Sequence, residues 1–144
     1  MIQPDKIDLA YIIDDDPTTI ELVRLNNERF GFCDTLESFT DPHEAVKTLT
    51  IALQNHTNIP QMILLDINMP VMDAWDFLDR MNDVLLEANV SVFILSSSIN
   101  PKDMEKSATY SSVLKYVMKP LGLDKIATIL GLIKKSGRLG NIYN

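Results

Sequence analysis

Five polar side chains stand at the ends of short apolar runs, and their types suit phosphoryl chemistry: Asp14, Asp15, Asp66, Ser96 and Lys119. Three carboxylates held close together repel one another unless one is protonated or a cation lies among them. A magnesium ion would relieve the repulsion, because Mg²⁺ prefers oxygen ligands and is commonly held by one or two carboxylates plus phosphate oxygens. A lysine ammonium and a serine hydroxyl can both contact phosphoryl oxygens. These residue types predict a magnesium-dependent phosphoryl site if the fold brings them together.

Asp66 is the candidate for covalent chemistry. Four consecutive apolar residues precede it, and Pro60 opens the stretch, which predicts a strand buried on both faces of a parallel sheet. A carboxylate at the end of such a strand opens into the crevice where α/β sheets bind ligands, and an aspartate oxygen can accept a phosphoryl group as an acyl phosphate. In the alternative interpretation Asp66 merely caps a following turn.

The elements that must position these residues alternate along the chain. Apolar runs predict five strands, at 9–13, 32–39, 62–65, 91–95 and 113–118, separated by helical stretches. Strands joined by helices imply right-handed crossovers and a parallel sheet with helices on both faces. We therefore predict an α/β fold, a doubly wound five-stranded sheet of the flavodoxin-like type, in which the strand ends share one edge.

Three helices are predicted to begin with a capping residue followed by proline, at Asp16-Pro17, Asp41-Pro42 and Asn100-Pro101. Glu44, three residues after Asp41, predicts a capping box. The predicted helices end at Gly31, near Gln54, near Ser112 and at Lys134-Lys135, and a further helix follows the central strand.

Apolar spacing predicts which helix faces are buried. On the first helix the buried face contains Ile20 and Val23, followed by Asn27 and Phe30. Residues that pattern the helix after the central strand include Trp75, Leu78 and Leu86, of which Trp75 and Leu78 are predicted on the buried side. The helix after Pro101 has few apolar residues, so we expect it to be the most loosely packed.

Composition limits the class of protein. The 144 residues carry a formal net charge of −7, 46% hydrophobic residues and one cysteine, Cys33. We expect a single domain over 1–144, with a core at about 8–136 and a short tail at 137–144. The acidic balance disfavours direct binding of nucleic acid or anionic membrane, and no apolar run reaches the roughly 20 residues that span a bilayer. A cytoplasmic location is the expectation.

Four motifs in order resemble those of response regulator receiver domains of two-component signalling, similar to the chemotaxis regulator type: Ile12-Ile13-Asp14-Asp15-Asp16, Leu65-Asp66-Ile67-Asn68-Met69-Pro70-Val71-Met72-Asp73, Leu95-Ser96-Ser97 and Tyr116-Val117-Met118-Lys119-Pro120. The resemblance covers nearly the whole chain. Any one motif would be weak evidence, but each of the four supplies a different part of a phosphoryl site.

The resemblance implies roles for individual residues. Asp66 matches the phosphoacceptor, Asp15 and Asp66 match direct Mg²⁺ ligands, Asp14 matches a ligand acting through water, and Asn68 would lend its backbone carbonyl. Lys119 matches the lysine that contacts the phosphoryl group, and Ser96 matches the switch hydroxyl. Tyr116 matches the switch aromatic, and Pro120 matches the proline that usually follows a cis peptide bond.

Two departures from the family pattern are visible. Ala74 replaces the usual glycine after Met-x-Asp, and a positive φ at that position would cost Ala roughly 1 kcal/mol. The connection at 55–61 is somewhat long.

By this resemblance we expect a stand-alone signalling domain rather than an enzyme, although it could remove its own phosphoryl group. Its expected partners are a sensor histidine kinase or histidine phosphotransfer protein and a downstream protein target. The alternative is a small metal-dependent phosphohydrolase, disfavoured because such enzymes often have an Asp at the position of Asn68. A nucleotide-binding module lacks support, since the sequence has no glycine-rich phosphate loop.

Overall fold

The computed structural model describes residues 6–70 and 72–136. Five strands and five helices alternate in the order β1 (Ile7–Ile13), α1 (Pro17–Phe30), β2 (Cys33–Phe39), α2 (Pro42–Asn55), β3 (Met62–Asp66), α3 (Ala74–Glu87), β4 (Ser91–Ser96), α4 (Pro101–Ser107), β5 (Val113–Met118) and α5 (Leu123–Lys135). All four strand pairings are parallel, and the strand order is β2-β1-β3-β4-β5. The predicted doubly wound α/β fold is confirmed.

The sheet separates two hydrophobic layers. Residues of α2 and α3, including Leu49, Phe77 and Leu78, pack on one face against alternate residues of β1, β3 and β4. Residues of α1 and α5, including Val23 and Ile129, pack on the opposite face. Every residue of β3 is buried, as expected for a central strand with helices on both sides.

The predicted cap-then-proline starts are present in three helices. The side chains of Asp16, Asp41 and Asn100 each accept a hydrogen bond from the backbone N–H two residues later, and proline is the first helical residue in each case.

The predicted capping box at α2 is wrong. Asp41 caps through the N–H of His43, and the described hydrogen bonds include none from the Asp41 N–H to the Glu44 carboxylate. A reciprocal box forms instead at α3, where Asp73 accepts from the Asp76 N–H and Asp76 accepts from the Asp73 N–H. Asp76, at the third helical position, accepts the hydrogen bond that Glu or Gln usually accepts in a capping box.

The α4 helix is shorter than predicted, since it ends at Ser107 rather than near Ser112. The hydroxyls of Ser107 and Thr109 donate to backbone carbonyls three residues earlier and so compete with continuation of the helix. Ser112 is instead held by α3, because its N–H and hydroxyl both donate to Asn82 Oδ1, at 3.0 and 2.6 Å.

Three further expectations are corrected. Phe30, predicted on the buried face of α1, is 45% exposed, because it is the last residue of that helix, directly before the Gly31 cap. Ala74 has no positive φ, since it is the first residue of α3, so the expected strain does not arise. The predicted burial of Leu78 is confirmed, whereas Trp75 is half-buried.

No helix within the described residues has the length and apolar character needed to cross a membrane. The prediction of a tail at 137–144 and the Val71 position of the second motif lie outside the described residues.

Candidate functional site

The candidate site lies at the edge formed by the carboxyl ends of the parallel strands. Asp14 follows β1, Asp66 is the last residue of β3, and Lys119 follows β5. The register places Asp66 beside Leu95 of β4, one residue before Ser96. Sheet topology therefore gathers residues that are far apart in the sequence.

Lys119 forms the centre of an ion-paired cluster. Its ammonium nitrogen lies 2.7 Å from Asp14 Oδ2 and 3.2 Å from Asp66 Oδ1. Asp14 is fully buried, and the side chains of Asp66 and Lys119 are only 8% and 12% exposed. The backbone N–H of Lys119 donates to the Ser96 carbonyl at 2.7 Å, which fixes the strand end that bears the lysine. One buried cation thus joins two buried carboxylates.

Burial changes the acidity of Asp66. Loss of solvation and the nearby charge of Asp14 raise the pKa of Asp66 to about 6, although Lys119 opposes the increase. Burial lowers the pKa of Lys119, but its contacts with Asp14 and Asp66 outweigh that effect and the net pKa is raised. At neutral pH the lysine is charged and the Asp66 carboxylate is predominantly ionised, which is the form that a nucleophile requires.

The three consecutive aspartates have separate tasks. Asp14 Oδ1 accepts from the Asp16 N–H at 2.8 Å, and Asp16 in turn accepts from the Thr18 N–H at 2.9 Å and the Thr19 hydroxyl at 3.1 Å. The Thr18 hydrogen bond is the main reason that the pKa of Asp16 is lowered. Asp15 is exposed and completes the acidic group.

The acidic group fits a hard divalent cation. Asp14, Asp15 and Asp66 each offer a carboxylate oxygen, and these oxygens lie within 4.8 Å of one another. Asp14 Oδ2 is buried and has no hydrogen bond of good geometry despite its close ion pair with Lys119, so it retains capacity as an acceptor. Oxygen donors of this kind suit Mg²⁺. Asn68, two residues beyond Asp66, is exposed between two buried residues, and its role as a carbonyl ligand stays a prediction.

The predicted switch residues share one hydrogen-bond acceptor. The Ser96 hydroxyl donates to the Ser98 carbonyl at 2.9 Å, and the Tyr116 hydroxyl donates to the same oxygen at 2.8 Å. The Ser98 N–H donates back to Ser96 Oγ at 3.2 Å. The peptide bond between Lys119 and Pro120 is cis, as the resemblance implied. The turn after β4 therefore connects the serine near the cluster to the aromatic ring on β5.

Sequence reasoning missed several supporting contacts. The Ser98 acceptor is a backbone carbonyl, so no residue type could reveal it. Asn26 of α1 donates to the Leu121 carbonyl at 2.9 Å and supports the loop after Lys119. Trp75 stacks on Tyr110 with ring centroids 6.0 Å apart. The only sign of this contact in the sequence is that both residues are aromatic.

Comparison with known proteins defines the class. The family model of the response regulator receiver domain matches residues 10–131, and this chain belongs to that family. It is a family of signalling domains in two-component systems, not of classical enzymes.

Two curated relatives extend beyond the matched region. The chain is 27% identical over 131 residues to the sensor histidine kinase CheAY of Helicobacter pylori, covering 91% of this chain and 15% of that protein. It is 26% identical over 129 residues to the DNA-binding dual master transcriptional regulator RpaA of Synechocystis, covering 89% of this chain and 50% of that protein. The chain thus spans half or less of the length of either relative.

Solved structures agree on the fold. A two-component response regulator from Cytophaga hutchinsonii superposes with a TM-score of 0.81 at 27% identity, covering 90% of this chain and 98% of that one. The chemotaxis protein CheY4 of Vibrio cholerae gives a TM-score of 0.67 at 18% identity, covering 88% and 98%, which bears on the fold alone.

Proposed function

We propose that this receiver domain accepts a phosphoryl group on Asp66 from a histidine kinase or histidine phosphotransfer protein, in a Mg²⁺-dependent reaction, and signals to a protein partner. The observation that carries the proposal is the contact between the Asp66 carboxylate and the Lys119 ammonium at 3.2 Å, inside a cluster with two further carboxylates. The match to a sensor histidine kinase supports a place in histidine-to-aspartate transfer.

In the transfer, an Asp66 carboxylate oxygen attacks phosphorus as the bond from phosphorus to the donor nitrogen breaks, and the imidazole retains the electron pair. Lys119 compensates the charge on a phosphoryl oxygen as a compact cation. Asp15 and Asp66 would hold Mg²⁺ directly, with Asp14 acting through water and Asn68 through its carbonyl. The ion would supply positive charge for the phosphoryl oxygens. Self-hydrolysis of the acyl phosphate by water would end the signal.

The signal would leave the site through Ser96 and Tyr116. A phosphoryl group adds strong acceptor oxygens, which would draw the Ser96 hydroxyl away from the Ser98 carbonyl. The turn after β4 would then be free to move, and the Tyr116 ring, whose hydroxyl is bound to the same carbonyl, would repack. We infer that the downstream partner docks on the surface of α4, β5 and α5, which this change alters.

Intact mass measurement tests the acceptor. The protein is incubated with Mg²⁺ and acetyl phosphate, with and without chelator, and compared with Asp66→Asn. We expect one added phosphoryl group that requires both Mg²⁺ and Asp66. Asp83→Asn, an exposed carboxylate on α3, is the matched control and should be modified normally. Modification that survives in Asp66→Asn would refute the assignment, and turnover without a modified protein would favour the phosphohydrolase alternative.

Two variants test the switch separately from the chemistry. Ser96→Ala and Lys119→Ala are both expected to accept phosphate but to show weak changes in hydrogen exchange over 97–120 on phosphorylation. Ser97→Ala, the exposed neighbour of Ser96, should respond like the wild type. Equal responses in wild type and Ser96→Ala would eliminate the proposed route.

A further inference from the structure

A cavity lies away from the Asp66 cluster, between α2 and strands β1 and β2. Its volume is about 190 Å³, and its lining includes Tyr11, Glu37, Thr48, Ile51, Asn55 and Asn58. None of its lining residues belongs to the acidic cluster or to the Ser96 and Tyr116 connection. The phosphoacceptor function therefore does not account for its polar groups.

Tyr11 places an unpartnered hydroxyl at this cavity. The residue is only 1% exposed, and its ring packs against Phe39 with centroids 4.9 Å apart. Its hydroxyl has no hydrogen-bond partner among the described residues. The hydroxyl oxygen is not fully enclosed by protein atoms, unlike Asp14 Oδ2, and the residue lines the cavity. The hydroxyl therefore reaches the cavity. Burial and the charge of Glu37 raise the pKa of Tyr11 to about 12, so the phenol stays neutral.

Glu37 supplies a negative charge beside this hydroxyl. Tyr11 of β1 and Glu37 of β2 are directly paired in the parallel register, so both side chains lie on the same face of the sheet. Glu37 takes part in no ion pair within the described ranges, and the cavity lining contains no Lys, Arg or His. The cavity thus has a carboxylate without a countercharge.

The remaining wall is partly polar and partly apolar. Thr48, Asn55 and Asn58 offer hydroxyl and amide oxygens, whereas Ile51 and Ala52 line the helix side, and Ile51 is 50% exposed. An occupant that matches this wall has a polar head and a short hydrocarbon stem.

We propose that the cavity binds an alkylammonium group. An ammonium has three N–H donors and no acceptor, so it can donate to the Glu37 carboxylate, to the Tyr11 oxygen and to an amide oxygen of Asn55 or Asn58. Its methylene stem would lie along Ile51 and Ala52. The cavity of about 190 Å³ has room for a small amine such as n-butylammonium. The Glu37 charge opposes an anion, and a neutral alcohol would leave that carboxylate without a countercharge.

Amide chemical shifts of the full chain test this site. The protein is titrated with n-butylammonium and, separately, with n-butanol, which has the same stem without the charge. We expect saturable shifts at cavity residues with the amine and weaker ones with the alcohol. Glu37→Gln should weaken amine binding by about tenfold, the effect of one charged hydrogen bond, and Tyr11→Phe should weaken it by less. Glu28→Gln, an exposed charge on α1, should bind like the wild type.

Equal responses to amine and alcohol, or unchanged amine binding in Glu37→Gln, would overturn the proposal. A tripeptide Ala-Lys-Ala distinguishes the sources of an alkylammonium group: tighter binding of the peptide assigns a lysine side chain of a partner, and tighter binding of n-butylammonium assigns a free amine. Asp66→Asn should bind the amine normally, so this test and the phosphorylation test fail independently.

Discussion

β3 and β5 lie on either side of β4 in the sheet, but the pair of β3 with α3 and the pair of α4 with β5 are packed very differently. All five residues of β3 and five residues of α3 are buried. In α4 the buried residue is Ser107, and in β5 it is Val117. The first pair carries Asp66, and the second ends beside Lys119. A rigid strand thus holds the proposed phosphoacceptor, next to a region in which repacking costs little.

β5 pairs with β4, whereas the turn between α4 and β5 is held to α3 by polar and aromatic contacts. Trp75 stacks on Tyr110, whose hydroxyl donates to Asp79 at 2.6 Å, and Lys106 lies 5.2 Å from the centre of the Trp75 ring. Ser112 is bound to Asn82. Contacts of this kind can be exchanged individually, whereas a close-packed core resists small displacements. This difference in packing explains how phosphorylation of Asp66 could move α4 and β5 while β3 stays in place.

Removing a core ring should break the first region. Phe77→Ala is expected to lower the free energy of unfolding by about 3–5 kcal/mol, because Phe77 is fully buried and its removal leaves a cavity. Met104→Ala on α4 should change it by less than about 0.5 kcal/mol, because Met104 is 43% exposed. Urea unfolding measures both. Similar losses in the two variants would show that the two regions do not differ in packing.

Removing the Lys119 ammonium, which Asp14 and Asp66 share, should cause the second largest loss of stability. Lys119→Ala leaves Asp14 and Asp66 buried without a countercharge, and we expect a loss of about 3 kcal/mol at pH 7.5. Part of this loss should be recovered at pH 5, because protonation of a carboxylate relieves the repulsion. Lys115→Ala, an exposed lysine of β5, is the control and should behave like the wild type at both pH values.

The raised pKa of Asp66 predicts a smaller, pH-dependent effect. Its native pKa of about 6 exceeds the ordinary value near 4, so the native state binds the proton more tightly. This contribution is present below about pH 4 and is lost as the pH rises through 6. Asp66→Asn should therefore be more stable than the wild type by about 1–2 kcal/mol at pH 7.5, with little difference at pH 4. Unfolding curves at several pH values measure the difference, and a difference that does not vary with pH would contradict the prediction.

The smallest effect should arise in the contacts that hold α4. Tyr110→Phe keeps the ring stacked on Trp75 but removes the hydrogen bond to Asp79, and we expect a loss of about 1 kcal/mol. Because Tyr110 lies in the turn that joins α4 to β5, faster hydrogen exchange should be confined to 101–118. Acceleration that extends equally into β3 would show that the two regions open together.

The starts of elements were the most predictable part of the fold. Asp16, Asp41 and Asn100 cap helices that begin with proline, since a cap depends on residues within one turn. The end of α4 was mispredicted by five residues, because apolar spacing did not reveal that Ser107 and Thr109 turn their hydroxyls onto the helix carbonyls. The buried side of α3 was predictable from its period, but the half-burial of Trp75 depends on Tyr110, whose position follows from the length of α4.

By itself, the sequence determined the alternation of strands and helices and the polar residues at the strand ends, because those features follow from local periodicity and from the chirality of parallel crossovers. The tertiary structure alone decided that Lys119 pairs with Asp14 as well as Asp66, and that Ser96 and Tyr116 share the Ser98 carbonyl. It also decided that Tyr11 and Glu37 meet at the cavity beside α2. These contacts join separate elements, so they depend on register and on packing to within an ångström, which no local pattern encodes.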